Sequence, residues 1–248
     1  MKKFFILITA FLLLQTAVFA EEPKILLYHN ISETYHTSQA DMNISAGAFE
    51  NHIASLVEHG YNIISFDTYL NYRNGLCELP ENSVIITFDD GYLSNYTTAF
   101  PILKKYGVCG TVFVITSRVG SYDTQYPHFT WEQAKEMVDS GVMSIYSHTA
   151  SHINMLEQTP AEISYEVRKS KYIIEKHLGT KCNILAAPHG LFSKTATFVI
   201  GESGYDVLCR VGDICIDETT DSMISLHRYT VHGNMSADDV ISMISQGG

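Results

Sequence analysis

The chain has 248 residues, of which 46% are apolar, and its formal net charge is −11 at pH 7. Such an acidic balance argues against a basic groove for nucleic acid or for an anionic lipid surface, whereas a neutral or cationic polymer would not be repelled. Residues 21–248 hold enough apolar side chains for one large core, and no Pro/Ser-rich linker, repeat or low-complexity tract divides them. The sequence therefore predicts a single domain over 21–248.

The first twenty residues have the pattern of a secretory signal peptide. Lys2 and Lys3 precede an apolar stretch at 4–14, and Val-Phe-Ala at 18–20 places small residues at the two positions that signal peptidase reads. We expect cleavage after Ala20, which removes two positive charges and no negative one, so that −11 becomes −13. This predicts export to a periplasm or to the exterior, with no stable membrane span in the mature protein. An uncleaved membrane anchor is the alternative.

Short apolar runs alternate with capped helices along the rest of the chain. In chain order the pattern predicts a strand at 24–28, a helix from Ser45 to Gly60, strands at 63–65 and 84–88, a helix at 92–106, a strand at 111–116, a helix from Thr130, a strand at 143–147, a helix from Thr159 to Gly179, strands at 184–187, 205–209 and 225–231, and a helix from Ser236. Several strands are apolar on both faces, as a sheet covered by helices requires. Strand alternating with helix predicts a parallel α/β architecture, open or closed into a barrel.

Polar residues directly follow four of the predicted strands. They are His29 after 24–28, Asp89 and Asp90 after 84–88, His148 after 143–147, and Pro188, His189 and Gly190 after 184–187. In parallel α/β folds the loops at the carboxyl ends of the strands converge and carry the functional residues. We therefore expect these residues to share one rim.

The adjacent acids indicate a metal site. Two carboxylates at the end of a buried strand repel each other, and a cation would compensate their charge, while Gly91 allows a tight turn. His148 and His152 are four residues apart and can point the same way from a helical turn. With one carboxylate they form a ligand set that leaves a position for water, which points to metal-assisted hydrolysis. The alternative is a solvated Asp-Asp-Gly turn and a chance histidine pair.

These motifs resemble those of a known family. Thr-Phe-Asp-Asp-Gly at 87–91, Ser-His-Thr-Ala-Ser-His at 147–152 and Ala-Pro-His-Gly at 187–190 are similar to the successive motifs of the polysaccharide deacetylases, carbohydrate esterase family 4. Leu-Tyr-His-Asn-Ile at 27–31, together with 99–103 and 130–133, resembles the branch of exported poly-N-acetylglucosamine deacetylases. The resemblance implies a distorted (β/α) barrel that hydrolyses the N-acetyl groups of an N-acetylated polysaccharide.

The resemblance also implies roles for individual residues. Asp90, His148 and His152 would bind a divalent metal, with zinc expected and cobalt or nickel as alternatives, and Asp89 would be the general base. The metal would polarise the acetyl carbonyl and a water, and a backbone N–H near His189, within the Pro188 to Gly190 segment, would help to hold the oxyanion.

A general acid must protonate the departing amine, and four histidines are candidates. In the branch of exported poly-N-acetylglucosamine deacetylases the acid is a histidine of the N-terminal motif, which corresponds to His29 in the segment 27–31 of this chain. His189 could compete as acid or ligand. His227 and His232 lie near the last strand, where many family members place the acid, although the usual surrounding pattern is not clearly present.

The third motif departs from the family. An arginine that orients the base and a tyrosine after the proline are common there, whereas this chain has Ala186, Ala187 and His189. Either Arg228 replaces that arginine in space or Asp89 is tuned differently. Two other functions share these residues: a metal-dependent amidase or O-acetyl esterase acting on a small substrate, and a carbohydrate-binding protein that has lost turnover.

Overall fold

The structure is a computed structural model that describes residues 22–32, 42–122, 125–212 and 223–246. The predicted signal peptide at 1–20 lies outside these residues. Within the described part of the chain, no helix has the length and apolar character needed to cross a membrane.

Seven parallel strands close into a barrel. The barrel is formed by β1 and by β5 to β10. In chain order, the strands of the described residues are β1 (Lys24–Tyr28), β2 (Asn30–Ile31), β3 (Asn43–Ile44), β4 (Asn62–Ile63), β5 (Ser83–Phe88), β6 (Gly110–Val114), β7 (Met143–Ser147), β8 (Ile184–Ala186), β9 (Val207–Val211) and β10 (Ile224–Thr230). The order around the barrel is β1-β10-β9-β8-β7-β6-β5, and β5 pairs again with β1 along its length, from Lys24 opposite Val84 to Tyr28 opposite Phe88. β4 pairs with the start of β5, and β2 pairs with β3 in a separate two-stranded sheet. The predicted α/β barrel is confirmed.

Helices connect the strands and cover the barrel. They are α1 (Ala46–Glu58), α2 (Phe66–Arg73), α3 (Phe100–Tyr106), α4 (Trp131–Asp139), α5 (Pro160–Leu178), α6 (Lys194–Glu202) and α7 (Ala237–Gln246). A π-helix at Asn95–Ala99 leads into α3, and a 3₁₀ turn covers Pro188–Gly190. Every residue of β5 is buried, because side chains on one face fill the barrel and those on the other pack under the helices.

The predicted helix caps are present where the sequence placed them. Thr130 and Gln133 form a reciprocal capping box at α4, and Thr159 and Glu162 form one at α5. Gly179 ends α5 in the left-handed conformation at φ 73°.

Two helices were not predicted. α2 buries only Phe66 and Tyr69, so its apolar periodicity is weak, and α6 contains several β-branched residues that favour strands locally. Both start with a serine whose hydroxyl accepts a backbone N–H, Ser65 at α2 and Ser193 at α6. The serine caps were therefore the feature of the sequence that could have predicted these two helices.

Gly190 allows the third-motif turn to lie against the end of β9. Its φ is 69°, and a Cβ built there would lie 2.7 Å from Val211 O and 2.9 Å from Val211 N. Both the backbone conformation and the space therefore require glycine.

We predict that Gly190→Ala destabilises the protein far more than Gly141→Ala. Gly141 has a similar φ of 73° but no atom within 4 Å of an added Cβ, so it carries only the conformational cost of about 1–2 kcal/mol. Overpacking against Val211 should add roughly 1–3 kcal/mol at Gly190. Urea unfolding of both variants measures the difference, and equal losses would contradict the close approach.

Candidate active site

The carboxyl ends of four barrel strands bring the sequence-derived candidates together. Asp89 and Asp90 follow β5, His148 follows β7, His29 follows β1, and the Pro188–Gly190 turn follows β8. Because all seven barrel strands run parallel, these ends form one rim of the barrel.

Three side chains form a possible metal site. One ligand atom from each of Asp90, His148 and His152 lies within 4.8 Å of the others. Nε2 of His148 and Nε2 of His152 each lie 3.7 Å from Oδ1 of Asp90. Two imidazoles and one carboxylate are a set that zinc accepts in catalytic sites, where three protein ligands leave a position for water or substrate.

Neighbouring groups orient two of these side chains. Nδ1 of His148 donates a hydrogen bond to the backbone oxygen of Ala186 at 2.8 Å, which fixes the tautomer and leaves Nε2 available to an ion. The hydroxyl of Tyr92 donates to Oδ2 of Asp90 at 2.7 Å and leaves Oδ1 facing the histidines. The sequence marked Tyr92 only as the start of a helix, so its contact with Asp90 was missed.

The protonation states suit metal binding. Burial, together with the charge of His148, lowers the pKa of His152 to about 4, so the ring is neutral near pH 7. Burial alone would raise the pKa of Asp90, but His148, His29 and the hydrogen bond from Tyr92 lower it below its ordinary value. A neutral imidazole and an ionised carboxylate are the forms that coordinate a cation.

The two histidines do not lie on a helical turn, so that prediction was wrong. Residues 148–152 form an irregular bend in which Thr149 has φ 64° and His152 has φ 61°. Hydrogen bonds within the bend replace those of a helix: Thr149 N donates to Ser147 Oγ at 3.1 Å, and His152 N donates to Thr149 Oγ1 at 3.0 Å. Four-residue spacing alone could not distinguish this bend from a helix.

Left-handed backbone conformations concentrate at the candidate site. Of five non-glycine residues with positive φ among those described, four lie here: Asp90, Thr149, His152 and His189. Each costs about 1–3 kcal/mol and persists only where the surroundings enforce it. Glu166 on α5 is one such constraint, since its carboxylate accepts from both Ser151 N and Ser151 Oγ at 2.8 and 2.9 Å.

Asp89 is paired with Arg228 in the interior of the barrel. Nη1 and Nη2 of Arg228 donate to Oδ1 and Oδ2 of Asp89 at 2.6 and 2.7 Å, and both side chains are almost completely buried. Burial raises the pKa of Asp89, but the charge of Arg228 outweighs it and holds the pKa well below the usual range. The guanidinium also lies over the ring of Phe113, 5.3 Å from its centroid. Asp89 is therefore ionised and held in one orientation.

The four histidines considered as acids occupy different places. His29 is half-buried, and burial lowers its pKa although Asp89 and Asp90 lie close enough to raise it. His189 is exposed, with its ring 4.7 Å from that of His152.

The other two candidates lie on β10 and just beyond it. His227 precedes the buried Arg228 on β10, so the alternation of a strand turns it to the opposite face, where its ring packs on Tyr229. His232 lies beyond the strand and is exposed.

One further buried histidine beside the site, His128, was not predicted from the sequence. His128 is 3% exposed, and neither ring nitrogen has a hydrogen-bond partner within the described residues. Its ring packs on Tyr92 with centroids 5.1 Å apart, so it supports the residue that bonds Asp90. No motif or spacing distinguishes it beforehand.

Comparison with known proteins identifies the family. The model of the family described as polysaccharide deacetylase matches residues 77–208. Over 214 residues the chain is 32% identical to the putative polysaccharide deacetylase YxkH of Bacillus subtilis, covering 86% of this chain and 72% of the relative. The chain belongs to the polysaccharide deacetylase family. The chain is also 28% identical over 171 residues to the poly-beta-1,6-N-acetyl-D-glucosamine N-deacetylase of Staphylococcus aureus, and the match covers 65% of this chain and 59% of that relative.

Solved structures share the fold of this chain. The Streptococcus pyogenes deacetylase PplD, in complex with acetate, matches with a TM-score of 0.77 and 26% identity over 90% of this chain and 98% of that one. IcaB from Ammonifex degensii matches with a TM-score of 0.75 and 26% identity over 88% and 95% of the two chains.

We predict that Arg228→Met destabilises the protein by about 3–5 kcal/mol, because Asp89 would remain buried without a compensating charge. Arg210→Met is the control, since among the described residues Arg210 on β9 bonds the backbone oxygen of the neighbouring Gly212, and its loss should cost about 0.5 kcal/mol or less. Urea unfolding at pH 7 measures both. Similar losses in the two variants would contradict the importance of the buried pair.

The loss of stability in Arg228→Met should depend on pH in a defined way. A carboxyl whose folded pKa is depressed contributes stability above its unfolded pKa of about 3.9 and loses it as the pH falls towards the folded value. In Arg228→Met the buried Asp89 would have a raised pKa, so the penalty of its charge also lessens at acidic pH. The difference in the free energy of unfolding between the two proteins should therefore narrow as the pH falls and should continue to narrow below about pH 4.

Proposed function

We propose that this protein is an exported, metal-dependent N-deacetylase that hydrolyses N-acetyl groups of an N-acetylglucosamine-containing polysaccharide. The observation that carries the proposal is the juxtaposition of a possible metal group with an ionised, arginine-paired carboxylate on one barrel rim. Family membership supplies the reaction class, and the named activity of the staphylococcal relatives supplies the polymer.

Asp90, His148 and His152 would hold the metal. The donor set fits zinc, with cobalt or nickel as substitutes, and the fixed tautomer of His148 directs Nε2 towards the ion. When bound, such an ion supplies Lewis-acid polarisation of the acetyl carbonyl and lowers the pKa of a water molecule.

Asp89 would act as the general base and Arg228 as the residue that orients it. Oδ2 of Asp89 lies 3.7 Å from Nε2 of His148, so this oxygen borders the metal group and can accept the proton of the attacking water. The depressed pKa makes Asp89 a weak base in isolation, and its contribution comes from fixed position and full ionisation.

The Pro188–Gly190 turn would complete the site on the side of β8. His189 has φ 59° and Gly190 has φ 69°, and the N–H groups of Gly190 and Leu191 donate to Ala187 O and Pro188 O at 3.0 and 3.2 Å. We assign a backbone N–H near His189 to the oxyanion and the neighbouring ring to the rim of the site.

His29 would be the general acid that protonates the departing amine. It adjoins both acids, whereas His227 faces the other side of β10 and His232 is exposed beyond the strand. His189, which is exposed beside His152, is the competing candidate.

Substitution of Asp89 and of His148 should separate the chemical step from metal binding. Asp89→Asn should retain the metal and lower acetate release by roughly 10²–10⁴-fold, because it removes the base. His148→Ala should lose both the metal and the activity. Acetate released from N-acetylglucosamine oligomers and metal bound per chain are the measurements, with the surface variant Asp139→Asn as the control.

The outcomes distinguish the alternative functions. Near-normal activity of Asp89→Asn would show that another group is the base. Acetate released from aryl acetates but not from the oligomers would favour an O-acetyl esterase. Oligomer binding without acetate release, with zinc or cobalt supplied, would favour a carbohydrate-binding protein.

The pH profile tests the assignment of His29. A general acid works in its protonated form, so activity falls as the pH rises through its pKa. Burial lowers that pKa below the ordinary value of about 6.5, and a bound cation would lower it further. We expect kcat/KM to decline above a midpoint below about pH 6.5, and His29→Ala to keep the metal but lose this limb. An unchanged rate would transfer the role to His189.

A further inference from the structure

The buried face of α5 carries one polar side chain, Ser170, which has no exposed surface. The other residues that this helix buries are apolar: Ile163, Val167, Ile174 and Leu178. A buried hydroxyl costs free energy unless it has a hydrogen-bond partner, so a serine on this face requires an explanation. Its partner is the equally buried Ser147, the last residue of β7, whose Oγ lies 2.6 Å from Oγ of Ser170. Ser147 directly precedes His148, so this pair joins α5 to the candidate metal group.

The two serines belong to a chain of hydrogen bonds that begins in the bend at 148–152. Oγ of Ser147 accepts from Thr149 N at 3.1 Å. The remaining hydroxyls are satisfied when Ser147 donates to Oγ of Ser170 and Ser170 donates to Val167 O at 3.0 Å. The chain thus runs from the backbone of the bend, through two buried hydroxyls, to a carbonyl of α5. In such a buried chain each hydrogen bond strengthens and directs the next.

Thr149 transmits the effect of this chain to His152. Thr149 is buried and has φ 64°, so its conformation persists only while its surroundings enforce it, and its N–H would lose its partner without the hydroxyl of Ser147. Oγ1 of Thr149 accepts from His152 N at 3.0 Å, so a shift of Thr149 would displace His152 directly. His148 has separate support, because its ring donates to Ala186 O. We therefore expect His152 to be the ligand that depends on α5.

Glu166 gives α5 a second contact with the same bend. It precedes Ser170 by four residues, so the two side chains are neighbours along the helix. Its carboxylate accepts from Ser151 N at 2.8 Å and from Ser151 Oγ at 2.9 Å. Ser151 directly precedes His152, just as Ser147 directly precedes His148. One helix thus holds the residue before each of the two histidines.

We propose that Ser170 and Glu166 are positioning residues through which α5 holds His152 in the geometry that binds the metal. They act on the histidine through Ser147 and Ser151. The inference rests on the proposed function, because it concerns the same metal group. It has two consequences: loss of either side chain weakens metal binding, and the coordination geometry of the metal that still binds is altered.

The dissociation constants for zinc and cobalt, measured by competition with a chromophoric chelator, test this inference without turnover. Loss of a group that orients a metal ligand weakens metal binding by about 10–100-fold, and we expect about tenfold for Ser170→Ala and for Glu166→Ala. The visible spectrum of each cobalt-loaded variant, which reports the coordination geometry, should differ from that of the native protein. Glu166 is only half-buried, so Glu166→Ala keeps the test available if Ser170→Ala does not fold.

Two matched substitutions control for a general loss of stability. Ser203→Ala removes a buried hydroxyl that donates to Val199 O at 2.7 Å at the end of α6. Glu175→Ala removes another half-buried carboxylate of α5, which accepts from Cys182 N at 3.0 Å. Both should lower the stability of the metal-free protein in urea and leave the metal dissociation constants and the cobalt spectrum unchanged.

Glu166→Gln separates hydrogen bonding from charge, because it keeps an oxygen that can accept from Ser151. It should bind the metal more tightly than Glu166→Ala, and equal losses in the two would overturn the positioning role. An unchanged dissociation constant in either Ser170→Ala or Glu166→Ala, once folded, would also overturn the inference. Failure of the proposed function is seen separately, as absence of metal binding or of acetate release by the native protein.

Discussion

The arrangement of this barrel mouth depends on two adjacent carboxylates that are buried and ionised together. Asp89 is 3% exposed and Asp90 is 5% exposed, and neighbouring negative charges in a medium of low polarity repel each other strongly. The protein meets this cost in two different ways. Asp89 receives a complete positive charge from Arg228 through two short hydrogen bonds, whereas Asp90 receives one hydrogen bond from Tyr92 and faces the imidazoles of His148 and His152. The incomplete compensation of Asp90 is what a cation would complete.

The backbone conformation makes this separation possible. Side chains of consecutive residues in a strand point to opposite faces, so both acids could not reach one rim if β5 simply continued. The φ of 72° at Asp90, followed by 85° at Gly91, ends the strand and redirects the second carboxylate towards His148 and His152. At Gly91 an added Cβ would lie 3.0 Å from Val114 Cγ1, so both conformation and space limit that position. The site is therefore strained as well as charged, and the closed, well-packed barrel provides the stability that offsets this strain.

The sequence predicted the helices and strands whose signal is local. It did not predict the conformations and pairings that depend on contacts between residues far apart in the chain. Capping boxes at Thr130 and Thr159 and the apolar run before Asp89 are local patterns, and the structure agrees with them. The bend at 148–152 is held in part by Glu166, on a helix that follows it, and the four-residue spacing of its histidines does not distinguish it from a helical turn. The pairing of Arg228 with Asp89 joins residues 139 positions apart, so the sequence could name it only as one alternative.

The buried pair also explains how the third motif can lack an arginine. In a closed barrel each interior position at the mouth is near several strands, so a guanidinium can reach the same carboxylate from more than one of them. Here it comes from β10, two strands away from β8 around the barrel, and its guanidinium lies over the ring of Phe113. This leaves Ala186 free of a charged side chain, and its backbone oxygen instead accepts the hydrogen bond that fixes the tautomer of His148. The position of the arginine on β10 thus orients Asp89 without bringing a cation to the strand that supports His148, a proposed metal ligand, where it would oppose a bound ion.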